Sequence, residues 1–100
     1  MIVPETIASD RTNIKIKDEW YKISVVVDYD GEYLIRCDLS RKGDNEFIKI
    51  DKKKQREPHS PYEVTKDLIS WAIERAERQE EVKSLSIDVK EIVNDVQSEK

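Results

Sequence analysis

One cysteine, one histidine and two glycines occur in 100 residues. Cys37 by itself cannot close an internal disulfide, and no Cys/His set has zinc-site spacing, so neither a cross-link nor a metal or other cofactor is expected, and reducing conditions suit the chain. Gly31 and Gly43 both sit in turn sequences, which leaves no glycine-rich loop to cradle a phosphate. The longest apolar run is Val25-Val26-Val27, far short of the roughly 20 residues that cross a bilayer. The first residues also lack a basic segment followed by an apolar stretch. A cytoplasmic location without a membrane partner is expected. No internal repeat and no low-complexity tract interrupts the chain.

What is abundant is charge. Charged residues make up 40% of the chain and hydrophobic ones 37%, and the apolar residues come in periodic clusters, so the composition is that of a folded domain with a heavily charged skin. A chain of this length makes one domain, here 1–100. The net charge of -4 has three unequal parts: residues 1–48 carry 7 basic and 10 acidic side chains, residues 49–56 carry 5 and 1, and residues 57–100 carry 6 and 11. The basic octet Lys49-Ile50-Asp51-Lys52-Lys53-Lys54-Gln55-Arg56 is the one concentrated basic feature. It reads either as a solvated connector that guards a sheet edge or as an anion-binding segment. With Glu57-Pro58-His59-Ser60-Pro61 it marks a basic, proline-containing linker at 52–60, between a β-meander at 13–51 and a helical part at 61–98.

From Asn13 to Asp51 the apolar residues alternate with period two, the signature of strands with one buried face. A three-residue loop Tyr29-Asp30-Gly31 pairs Val27 with Tyr33, Val25 with Ile35, Ile23 with Cys37 and Tyr21 with Leu39, all apolar. A turn at Gly43-Asp44 pairs Leu39 with Ile48 and Cys37 with Ile50. One at Asp18-Glu19 pairs Ile16 with Tyr21 and Ile14 with Ile23. The three hairpins agree about the buried face and give a four-stranded antiparallel meander. Its reverse face carries Lys17, Trp20, Ser40 and Phe47 in one row, and Lys15, Lys22, Asp38 and Lys49 in the next. Further rows hold Asn13, Ser24, Arg36 and Asp51, then Val26 and Leu34. Asp38 with Lys49 and Arg36 with Asp51 are cross-strand opposite-charge pairs. Trp20 and Phe47 are out of place on a solvated face.

Ser60-Pro61-Tyr62-Glu63 reads as a helix start, with serine as N-cap, proline at the first position and glutamate closing a capping box. The helix from about Pro61 to Glu80 has an apolar arc of roughly 200°, comprising Val64, Leu68, Trp71, Ala72, Ala76, Ile69, Ile73 and Tyr62, which is more than the roughly 100° stripe one packed face needs. Farther on, Val82, Leu85, Val89, Ile92 and Val96 are spaced three, four, three, four, the coiled-coil rhythm. Ser84 to Val89 also alternates like a strand, and a shorter second helix from about Asp88 to Ser98 is the expectation. The fold class is therefore α+β: a four-stranded antiparallel meander, an amphipathic helix packed on one face and a shorter C-terminal helix.

No enzyme is expected. Cys37 falls on the buried face, where cysteine acts as a small inert hydrophobe. His59 lies between two prolines, and no spacing joins the two residues. No small-molecule substrate is implied. The first expectation is a binding or regulatory module, adaptor-like or inhibitor-like, that docks on another protein or on a second copy of itself through Trp20, Phe47, Lys17, Lys22 and Lys49, or through the surplus helical arc. The alternative is a single-stranded nucleic-acid binder that uses Lys15, Arg36 and the segment Lys52, Lys53, Lys54 and Arg56 beside the exposed rings.

Overall fold

The computed structural model describes the backbone of residues 5–98 and the side chains of residues 5–83. Four strands, β1 (Glu5–Ile16), β2 (Glu19–Tyr29), β3 (Tyr33–Lys42) and β4 (Phe47–Glu57), precede one helix, α1 (Tyr62–Ser98). The strands form one antiparallel sheet in the order β1-β2-β3-β4. The α+β meander is as the alternation implies, with longer outer strands. β1 starts at Glu5, and β4 continues to Glu57 through most of the segment read as a linker.

The buried face of β2 and β3 is the expected one, but every hairpin is displaced. On β4, Ile48 and Ile50, expected opposite Leu39 and Cys37, are exposed, with Ile48 opposite Arg41 and with Asp51 and Lys53 opposite Leu39 and Cys37. Val27 pairs with Ile35, Val25 with Cys37, Ile23 with Leu39 and Tyr21 with Arg41, two residues from the apolar-on-apolar pairing. The loop is still three residues, Asp30-Gly31-Glu32, and Gly31 takes a φ of 105°. At the first hairpin Ile14, not Ile16, faces Tyr21. The turn there is Lys17-Asp18, with φ of 48° and 68°, the doubly left-handed geometry that matches strand twist. A shift of two residues keeps every side chain on its face, so burial patterning alone does not separate the two registers.

Helix α1 lies on the inward face. Val64, Leu68, Ala72, Ala76 and Glu80 recur every four residues and are all buried against Tyr21, Ile23, Val27, Ile35, Cys37 and Leu39. Ser60 Oγ accepts a hydrogen bond from the Tyr62 amide at 3.4 Å, so the N-cap forms. Cys37 donates its thiol to the Leu68 carbonyl at 3.6 Å. The small Ala72 and Ala76 leave room for the sheet to approach the helix. The surplus arc is divided: Trp71 flanks the core under Lys53, whose Nζ is 5.8 Å from the ring, and Tyr62 is exposed. Ile69 and Ile73 border a groove of ≈ 350 Å³ toward β1, where Ala8 and Thr12 are too short to fill it.

No second helix begins near Asp88, because α1 is continuous to Ser98. Pro61 is the last proline and Gly43 the last glycine, so nothing in the later sequence breaks a helix once started. Residues 84–89 are helix, not strand. The side chains of the Leu85–Val96 rhythm lie outside the described residues.

Near the distal end of the sheet, Glu80 is only 4% exposed and accepts a hydrogen bond from the Tyr21 hydroxyl at 2.7 Å. Burial first, and then this bond, keep Tyr21 protonated far above the usual phenol range. Removing the hydroxyl leaves a buried carboxylate short of a partner. Tyr21→Phe is expected to lower stability by about 1–3 kcal/mol, read as a lower urea midpoint, and a further Glu80→Leu change is expected to recover part of the loss.

Candidate functional site

The face of the sheet turned away from α1 is built by strand parity. Its rows run Lys15–Trp20, then Asn13–Lys22–Ser40–Lys49, then Arg11–Ser24–Asp38–Lys52, then Ser9–Val26–Arg36–Lys54, and end at Thr6–Asp28–Leu34–Arg56. Lys42 and Phe47 pair at the other rim. On this face stand nine cations, Arg11, Lys15, Lys22, Arg36, Lys42, Lys49, Lys52, Lys54 and Arg56, against two carboxylates, Asp28 and Asp38. The remainder of the chain holds nine cations and twenty acidic residues. A net charge of -4 thus conceals a strongly positive sheet face.

A bulge in β4 produces most of this. Ser40 pairs with Lys49 but Leu39 pairs with Asp51, so Ile50 is the extra residue. Before the bulge the odd-numbered Lys49 faces outward, and after it the even-numbered Lys52, Lys54 and Arg56 do. An unbulged strand would present Lys49, Asp51, Lys53 and Gln55 instead, one net charge in place of four. Asp51 turns under the helix, where it accepts from Arg75 Nε at 2.9 Å. Asp51 is therefore not the partner of Arg36, which pairs with Asp28 at 3.3 Å. The expected Asp38–Lys49 pair is present at 3.2 Å.

Arg56 is held by Asp30 and Glu32, at 3.4 and 3.5 Å. Among the described residues Arg11, Lys22, Lys42, Lys52 and Lys54 form no ion pair. Arg36, Asp38, Lys49, Lys52, Lys53 and Lys54 line an open groove of ≈ 350 Å³. Its lining from the central strands is Arg36 and Asp38, and the rest comes from the edge strand β4.

The two rings are on this face but do not form one apolar patch. Lys42, not serine, follows the partner of Tyr21 on β3 and stands between Trp20 on β2 and Phe47 on β4, a separation of about 10 Å, two strand spacings. Each ring has its own ammonium group: Lys15 Nζ is 5.9 Å from Trp20, and Lys22 Nζ is 5.1 Å from Phe47. Trp20 is 42% exposed and Phe47 half-buried.

Two expected site residues are elsewhere. Lys17 is in the β1–β2 turn, and Lys15 takes its place beside Trp20. Lys53 faces the helix, opposite Cys37. Arg11 and Lys42 also belong to the face, Arg11 because β1 extends beyond Asn13 and Lys42 because β3 extends beyond Ser40. Alternation carried back through Arg11 and on through Lys42 would have found both.

Cys37 is fully buried, and burial, then the Asp38 carboxylate, pushes its thiol up to about 11. His59 is exposed in the loop before α1. No group of three metal-ligating side chains occurs among the described residues, and no helix among them is long and apolar enough to cross a membrane.

The Arg75 hydrogen bond holds the Asp51 carboxyl below the usual carboxylate range. A depressed folded-state pKa means that the pair stabilises fully above the unfolded value near 4, and that this stabilisation is lost as pH falls through the folded value. Urea unfolding of Asp51→Asn is expected to show a lower midpoint than the parent at pH 7 and a smaller difference at pH 3. Comparison of the chain with protein-family models, curated protein sequences and solved structures found no match.

Proposed function

We propose that this is a non-enzymatic module that binds single-stranded nucleic acid on the open face of its sheet. The observation that carries the reading is the sorting of charge: nine cations and two carboxylates on one face of an acidic chain, with two rings set among the cations. Unpaired ammonium and guanidinium groups neutralise phosphates, and an exposed ring stacks on any base, so the binding is sequence-tolerant. The sheet supplies the spacing. Arg11 and Lys52 lie on opposite edge strands with Ser24 and Asp38 between them, about 14 Å across, which leaves a low floor for a strand of bases between cationic walls. The buried, unreactive Cys37 suits a reducing compartment such as the cytoplasm.

Docking of another protein is the second reading. It is favoured by the cleft of ≈ 560 Å³ at the sheet end, where Trp20 adjoins the exposed Ile48 and Ile50. Both readings use Trp20, but the isoleucines belong only to the second.

Fluorescence anisotropy with a labelled single-stranded oligonucleotide tests the proposal. Binding is expected at 50 mM salt. The five unpaired cations predict a log–log salt slope of about -3 to -4. Replacing Lys52 and Lys54 together by alanine is expected to reduce that slope by about 1.4. Trp20→Ala is expected to weaken binding by about 1–3 kcal/mol without unfolding the domain, and Ile48→Ser with Ile50→Ser to leave it unchanged. No binding at 50 mM salt, or affinity indifferent to salt, overturns the nucleic-acid reading.

A further inference from the structure

Helix α1 is longer than the sheet it covers. Its 37 residues span about 55 Å at 1.5 Å each, whereas β2 and β3, with 11 and 10 residues, span about 33–37 Å. Lys83 Nζ reaches Glu19 Oε1 at 3.1 Å, and Glu19 is the first residue of β2, at the end of the sheet. The helix then continues through residues 84–98, about 22 Å more.

Intrinsic propensity does not sustain that continuation. Val82, Ile87, Val89, Ile92, Val93 and Val96 are β-branched, and Ser84, Ser86 and Asp88 favour caps over helix interiors. A helical segment of this composition and length is held by packing.

The spacing of its residues names what packs on it. Val82, Leu85, Val89, Ile92 and Val96 occupy heptad positions a, d, a, d and a, and Val82 is 60% exposed. Valine at every a position, with leucine at the first d, is the pattern of parallel two-stranded coils. The flanking charges choose the direction. Glu81, Asp88 and Asp95 fall at g, and Ser86 and Val93 at e. A parallel pair sets g against the following e of the partner, so Glu81 meets Ser86 and Asp88 meets Val93, with no like-charge opposition. An antiparallel pair would set g against g and so acid against acid along one flank.

We infer that residues 82–98 pair with the same segment of a second copy of this chain, parallel and in register, as a two-stranded coiled coil. This pairing stands independently of what the sheet face binds.

Solution molar mass of the full chain, by light scattering or sedimentation over a range of concentrations, is the test. Twice the chain mass is expected. Leu85→Asp with Ile92→Asp is expected to return the mass to one chain while the urea transition of the sheet domain persists. In a Cys37→Ala background, Val89→Cys is expected to oxidise to a disulfide-linked dimer, because a positions meet across a parallel seam. Lys90→Cys, one position off the seam, is expected not to. A single-chain mass at every concentration overturns the proposal, as does a dimer that survives the aspartates. A dimer that never cross-links at position 89 overturns its parallel register.

Discussion

A sheet with one apolar face must have that face covered, and this chain covers it with one helix. The constraint sets the spacing along α1. Val64, Leu68, Ala72, Ala76 and Glu80 form a line of positions four apart, buried on Tyr21, Ile23, Ile35, Cys37 and Leu39. Alanines at the middle of the line let the backbones approach. The line ends on a carboxylate, and the sheet answers with the Tyr21 hydroxyl. With one face so occupied, the other has no apolar partner to meet, and its side chains are free to be charged.

The bulge at Ile50 turns that freedom into a concentrated positive face. A strand that alternates strictly through the basic octet would divide its cations between the two faces. Three of them, Lys52, Lys54 and Arg56, would then be forced against the helix, next to the apolar core. One inserted residue sends Lys52, Lys54 and Arg56 outward together and sends Asp51 inward to Arg75. Lys53 alone goes under the helix, and its ammonium finds the Trp71 ring. β4 is also an edge strand, so its cations oppose edge-to-edge pairing as well as presenting charge. The same side chains serve both ends, and the aromatic residues among them distinguish the proposed interface from a merely solvated edge.

Much of the fold was legible in advance. Alternation from Asn13 to Asp51 identified four antiparallel strands and their buried face, and Ser60-Pro61 placed the helix start. Registers were not legible. The first two hairpins are two residues from the apolar-on-apolar pairing, because such a step conserves every face and only turn geometry chooses between the alternatives, while the third is three residues off beyond its bulge. The first turn uses Lys17 and Asp18 in left-handed conformations, and with no glycine there the sequence offered no marker. The second helix was misplaced for a related reason: the change from sheet-covering stripe to heptad rhythm near Val82 looked like a boundary, though no residue there interrupts a helix.

The amino-acid sequence by itself determined which side chains of β2, β3 and α1 are buried, since period two and period four are properties of the chain there and survive a two-residue shift in pairing. It also determined that cysteine, histidine and glycine, residues on which much catalytic chemistry draws, are scarce. Which cations stand together was decided only by the tertiary structure. A bulge forms where two strands of given twist meet a helix of given size, and it reverses the parity of every residue after it. Charge in the octet was visible as a number, but the face that carries it follows from one unpaired isoleucine.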